Sequence, residues 1–206
     1  MKAEIIPVIH MVNVNQVLTN VNTCLECGIE KVFLINHQVN SSDLVACAVN
    51  TKIKYPNLWI GVNMLGEKTE DVLFMNMPID GIWCDATITP ERVKKYRNFK
   101  GLFFGGLAFK YQPQPADLKA ACEESILATD VSTTSGSGTG RAADVNKIKD
   151  IRNYLGNHPM AIASGVSAQN IDNYKDLANY LLVASSITSK SEMIIKDKLI
   201  ELKNKL

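Results

Sequence analysis

An α/β fold, a single (β/α)8 (TIM) barrel of near-minimal length spanning residues 1–206, is what this sequence predicts. Three observations carry that expectation. Short apolar or β-branched runs alternate with helical patterns eight times along the chain. Most of these runs are apolar on both faces, as parallel strands covered by helices are. The 206 residues leave about 26 for each of eight units, near the smallest such barrel. An open doubly wound sheet is the alternative, but it usually follows its first strand with a glycine fingerprint. Here the first exit reads His10-Met11-Val12-Asn13.

The elements follow in order. The first strand is 5–10 (IIPVIH). The helix after it, 14–27, puts Val14, Val17, Leu18, Val21, Cys24 and Leu25 on one face and stops at Gly28, a C-cap signal. Strand 31–36 (KVFLIN) leads to helix 42–54, with Ser42 and Asp43 as cap candidates. Strand 58–64 (LWIGVNM) precedes a short helix at 69–76, and strand 81–85 (GIWCD) precedes another at 90–97. Strand 101–107 (GLFFGGL) and helix 117–127 form the fifth unit. In the sixth, strand 130–135 (DVSTTS) is followed by helix 144–155, with Val145, Ile148, Ile151 and Leu155 inward and Gly156 as its stop. Strand 160–164 (MAIAS) has a short helix at 168–175. Strand 180–185 (YLLVAS) is followed by a lysine-rich helix at 192–206, striped by Met193, Ile194, Leu199, Ile200 and Leu202.

Charge narrows the function classes. Twenty-two Lys and Arg balance twenty-one Asp and Glu, a net +1 that gives no footprint for nucleic acid or an anionic membrane. No apolar run approaches the ~20 residues of a membrane span. The first ten residues carry an acid among apolar positions and lack a cleavage-site pattern, so no signal peptide is expected. Five cysteines, an odd number in apolar context, read as buried thiols of a reducing, cytoplasmic compartment. Cys24 and Cys27 spell C-x-x-C, but at a helix end with no second ligand pair, so a structural role is expected and no metal or cofactor.

A barrel keeps its chemistry at the C-terminal strand ends. That rule sends Glu30, Asp80 and Asp130, at strand entries, to the opposite face, together with His158. It gathers His10, Asn36, His37, Asn63, Asp85, Lys110, Ser135, Ser164 and Ser185 at the mouth. The strongest local signal is Ser135-Gly136-Ser137-Gly138-Thr139-Gly140-Arg141, whose glycines let backbone N–H groups face an anion. Ser164-Gly165 after strand seven and Ser185-Ser186 after strand eight add small, polar loops where barrels of this kind hold phosphate. The expected partner is therefore a phosphorylated small molecule. Lys110 is the candidate electrophile and Asp85 the candidate general base, while Asn36 and Asn63 are candidate ligand contacts. Apolar faces are compatible with a homo-oligomer, without identifying an interface.

The segments TDVSTTSGSGTG (129–140), AIASGVSAQN (161–170) and LVASSIT (182–188) resemble the BtpA/SgcQ family of TIM barrels. Gly61-Val62-Asn63-Met64-Leu65 is similar to that family's third-strand motif, and Phe109-Lys110-Tyr111 falls where it has V-K-H. The resemblance covers nearly the whole chain. It implies a phosphate-type barrel, probed here by matched positions Asn36, Asn63 and Lys110. Departures are Asn13, Ile35, Gly106 and Ala108, where the family has His, Glu, Asp and His. A more distant resemblance, to phosphoribosylanthranilate isomerase, rests on the glycine loop and the two serine-bearing exits. That family's strand-one cysteine motif is absent from IPVIHM. Two readings stand: an enzyme acting on a phosphorylated substrate, or a non-catalytic ligand-binding or assembly factor.

Overall fold

The computed structural model describes residues 3–206. Met1 and Lys2, the first residues of the segment weighed as a leader, lie outside the described residues. Eight parallel strands close on themselves in chain order: β1 (Glu4–His10), β2 (Lys31–Ile35), β3 (Trp59–Asn63), β4 (Gly81–Cys84), β5 (Leu102–Gly106), β6 (Val131–Thr134), β7 (Met160–Ile162) and β8 (Tyr180–Val183). Closure is made where β1 pairs with β8, Ile6 opposite Leu182. The helices are α1 (Val14–Glu26), α2 (Ser41–Lys54), α3 (Thr69–Phe74), α4 (Pro90–Tyr96), α5 (Leu118–Ala128), α6 (Val145–Leu155) and α7 (Lys196–Lys203). No helix among the described residues is long and apolar enough to cross a membrane.

Local chemistry sets the helix ends. Asn13, Asn40, Asp117 and Asp144 each accept a backbone N–H of the first turn through the side chain. Gly28 and Gly156 follow α1 and α6 with φ of +65° and +58°, the left-handed geometry that ends a helix. Four expectations need correction. The cap of α2 is Asn40, not Ser42 or Asp43. Asp43 lies in the first turn, where its carboxylate accepts from Asn40 Nδ2 at 2.9 Å. Val14 is 47% exposed, because it opens α1 at the rim where no neighbour covers it. The helix expected at 168–175 is a single 3₁₀ turn, Ile171–Asn173. The last helix begins at Lys196, since Thr188 and Ile194 pair as an antiparallel bridge and draw the chain into a loop.

Two apolar layers result. One lies between strands and helices and includes Val17, Val21, Leu44, Ile148 and Leu199. The other fills the barrel with Ile6, Val8, Phe33, Trp83, Phe104 and Leu182, rings meeting edge to face. Large rings fit because small residues face them. A Cβ at Gly61 would collide with the Phe33 ring, and one at Gly81 with Trp59.

At the strand entries a polar clamp recurs. Asp80 accepts from Ile60 N of β3 and from Lys52 Nζ of α2, both at 2.8 Å. Asp130 accepts from Phe103 N of β5 at 2.7 Å and from Arg97, just past α4, at 2.6 Å. Asn179 accepts from Met160 N of β7 at 3.0 Å and from Arg152 of α6 at 3.4 Å. Each clamp satisfies a strand-entry N–H that the sheet leaves open.

Candidate functional site

The C-terminal ends of the strands open into a cavity of about 530 Å³. One wall is built by the loops after β6, β7 and β8, which are tied to one another. Ser164 Oγ donates to Gly138 O at 2.8 Å, joining the second loop to the first. Gly165 has a φ of +61°, and a Cβ there would strike Arg141 and Ala142. Ser186 Oγ donates to Val166 O at 2.7 Å, joining the third loop to the second. Asn170 bonds its own loop twice, accepting from Ser167 N and donating to Gly165 O, each at 2.8 Å. Within the described residues no hydrogen bond takes up the N–H of Gly165, Val166, Ser185 or Ser186, and all four residues line the cavity.

The opposite wall carries charge. Asp85 leaves β4 into the cavity and accepts from Asn63 Nδ2 at 3.0 Å. Burial pushes its carboxyl above the ordinary carboxylate range, against the opposing pull of the Asn63 bond and the Lys110 charge. Burial likewise lowers Lys110 below the ordinary lysine value, partly offset by Asp85. Lys110 sits in a constrained loop. Ala108 and Tyr111 on either side of it have φ of +45° and +62°, and such geometry costs about 1–3 kcal/mol for a residue with a side chain. The loop is held by Lys147, whose Nζ donates to Ala108 O at 2.6 Å and Ser135 O at 3.2 Å, and by Lys110 N, which donates to Ser135 Oγ at 2.8 Å. Tyr111 reaches across to the glycine loop, its hydroxyl accepting from Thr139 N at 3.2 Å.

The structure thus brings Asp85, Lys110, Thr139, Gly140, Ser164, Gly165, Ser185 and Ser186 to one cavity. It places five of the sequence candidates elsewhere. Ser135 is buried, accepting from Lys110 N and donating to Gly136 O at 3.0 Å, so its hydroxyl braces two loops. Gly136 folds its loop back on itself, where a Cβ would meet Arg141 O and Ala142 O, and Gly138 presents its carbonyl to Ser164. Asn36 accepts from Leu65 N at 2.6 Å and pins the β2 exit to the β3 exit. Asn63 acts one step removed, through Asp85.

His10 and His37 meet at the rim, ring centroids 4.4 Å apart. Sequence reasoning missed Glu192, whose carboxylate Oε2 lies 3.1 Å from His10 Nδ1. The available signal was Gln16 and Asn20, two amides on the buried face of α1 that require polar partners. The C-x-x-C pair is structural: Cys24 and Cys27 are buried free thiols closing α1. Asp130 and Asp80 serve the strand-entry clamps.

No protein-family model matches the chain, and no curated protein sequence does. Solved structures do. A structure described as native KDPGal matches with a TM-score of 0.69 at 14% identity, over 100% of this chain and 95% of that one. Phosphoribosyl anthranilate isomerase from Thermus thermophilus matches with a TM-score of 0.68 at 13% identity, over 97% of each chain. Thiamine phosphate pyrophosphorylase from Pyrococcus furiosus gives 0.69 at 12% identity, over 98% of this chain and 94% of that one. At such identities the likeness establishes the TIM-barrel (β/α)8 fold. The BtpA/SgcQ resemblance remains one of sequence motifs.

Proposed function

We propose that this protein is a BtpA-like barrel that binds a phosphorylated small molecule, a sugar phosphate or nucleotide, and acts on it as an enzyme. The observation that carries this reading is the interlocked cradle of the β6, β7 and β8 loops. Its open N–H groups at Gly165, Val166, Ser185 and Ser186 face the same cavity as the Lys110 ammonium. Oriented backbone amides and a cation suit a dianion, and their fixed placement avoids reorganisation on binding. Thr139 and Gly140 close the cradle from the glycine loop.

The chemistry open to such a ligand is proton transfer beside a stabilised anion. Asp85, with its proton affinity raised by burial, is suited to take and return a proton. Lys110 would stabilise the negative charge that develops. The names of two structural neighbours, an isomerase and a pyrophosphorylase of phosphorylated compounds, are compatible with this class.

The test is a ligand series of inorganic phosphate, ribose 5-phosphate and nucleotides, read by thermal shift. Stabilisation by at least one phosphorylated compound is expected, with loss in Gly165→Asp, whose side chain would strike Arg141 and Ala142 and break the cradle apart. Stabilisation that survives Gly165→Asp would remove the site from these loops. A second reading, a ligand-binding factor without catalysis, is favoured by Ser135 and Asn36, whose polar groups are spent on loop bracing. It predicts that the wild type binds phosphorylated compounds and turns over none of them.

A further inference from the structure

Glu192 adopts a φ of +58°, a left-handed geometry that a glutamate takes only when its surroundings hold it there. The surroundings are specific. Its carbonyl accepts from Gln16 Nε2 and from Asn20 Nδ2, both at 2.8 Å, and both amides are buried in α1. Asn20 Oδ1 accepts from Ile194 N at 2.8 Å, fixing the chain two residues on. Gln16 Nε2 donates as well to His10 O at 3.1 Å, so one buried amide ties the backbones of His10 and Glu192 together. From this footing the Glu192 carboxylate meets His10 Nδ1 at 3.1 Å.

We propose that His10 and Glu192 form a carboxylate–imidazole dyad that is the cavity's second proton-transfer group, with His10 Nε2 as the acid–base atom and Glu192 as its positioning residue. A carboxylate oxygen 3.1 Å from Nδ1 favours the tautomer that carries its proton there, which leaves the Nε2 lone pair free, and Nε2 takes no hydrogen bond within the described residues. His10 lines the cavity, so a bound ligand's acidic C–H or O–H can lose its proton to that lone pair. The electron pair of the broken bond stays on the ligand. Nε2 gains the proton, and the Glu192 carboxylate balances the imidazolium. The charged groups facing His10 come from three loops: Glu192 after β8, His37 after β2, and Lys110 after β5, whose charge reaches His37. Partial desolvation at the rim, then the nearby His10, disfavour a cation on His37, with Glu192 opposing them and Lys110 adding to them. Two proton-transfer groups, Asp85 on β4 and His10 on β1, thus stand on different sides of one mouth, as moving a proton between two ligand atoms requires. This role rests on the cavity being a ligand site.

The experiment uses the full chain and reads the three histidine side chains by long-range proton–nitrogen NMR at pH 8. His10 is expected as the Nδ1–H tautomer in the wild type. Glu192→Gln, whose amide oxygen still accepts, should keep it, and Glu192→Gly should lose it. Glycine adopts the left-handed geometry freely, so Glu192→Gly should hold or raise Tm. An Nε2–H tautomer in the wild type overturns the dyad. A Tm drop of more than about 5 °C in Glu192→Gly overturns it too, because Glu192 would then be a loop anchor. Inorganic phosphate titrated into the wild type tests the cavity separately, and binding is expected. A locked tautomer with no phosphate binding in the wild type would sink the phosphorylated-ligand reading and leave the dyad's geometry standing.

Discussion

Asn63 Nδ2 donates to Asp85 Oδ1 at 3.0 Å, from the last residue of β3 to the residue that follows β4. The amide therefore fixes one oxygen of a carboxylate that burial would rather keep protonated. An aspartate held this way is costly to the fold.

Asp85→Asn is expected to raise Tm at pH 7. The native carboxyl holds its proton more tightly than the unfolded one, so its contribution to stability is full below the unfolded value and lost as pH rises through the native value. Replacement by the neutral amide removes that loss. The gain should shrink to nothing below about pH 3, where aspartate is protonated in both states. A Tm gain that is equal at pH 3 and pH 7 would contradict the burial argument.

Gly61→Ala should overpack the barrel against Phe33 and lower stability by about 1–3 kcal/mol in a urea titration. Combined with Phe33→Leu, the alanine should cost much less than alone. Strict additivity of the two changes would show that the ring does not depend on the missing Cβ.

Asp130→Ala should destabilise by about 1–3 kcal/mol, because Phe103 N–H and Arg97 lose their shared acceptor. Asp130→Asn keeps one acceptor and should cost less. Neither change should alter phosphate affinity, since the clamp lies at the closed end of the barrel. A loss of affinity at unchanged Tm would place Asp130 in the site after all.

Thiol chemistry offers a simple check on the core. Burial pushes Cys24 and Cys84 up to about 12 and Cys122 to about 11. Ellman's reagent at pH 8 should therefore meet no rapid phase from these three in the native chain, and all five thiols after denaturation. A fast native reaction at Cys24 would mean that the end of α1 opens readily.

The barrel was legible in the sequence because its strands are apolar on both sides and its helices end on glycine or begin on a capping amide or acid. The phosphate-side loops were legible because Gly165 and Gly140 occupy backbone geometry that glycine supplies most easily. Two kinds of information were not. Hydroxyls at a strand exit can turn to a ligand or to a neighbouring loop, and for Ser135 and Ser164 the loops supply the partner. Position 192 read as the start of a lysine-rich helix, since Met193 and Ile194 fit a helical stripe. What displaced it was tertiary: Gln16 and Asn20 on the buried face of α1 both donate to the Glu192 carbonyl of a loop running past them, and Asn20 accepts from Ile194 N.

The strand-entry clamps carry one more consequence. Their partners are near in sequence: Lys52 and Asp80 are 28 residues apart, Arg97 and Asp130 are 33, and Arg152 and Asn179 are 27. Each can form before the two chain ends meet, so the barrel has the means to assemble as a succession of two-strand quarters. The β1–β8 seam, the longest-range pairing in the molecule, then closes last. Pulsed hydrogen exchange during refolding should find Phe103 and Met160 amides protected ahead of those across the seam. New chain termini placed after β4, at the mouth, would spare every clamp.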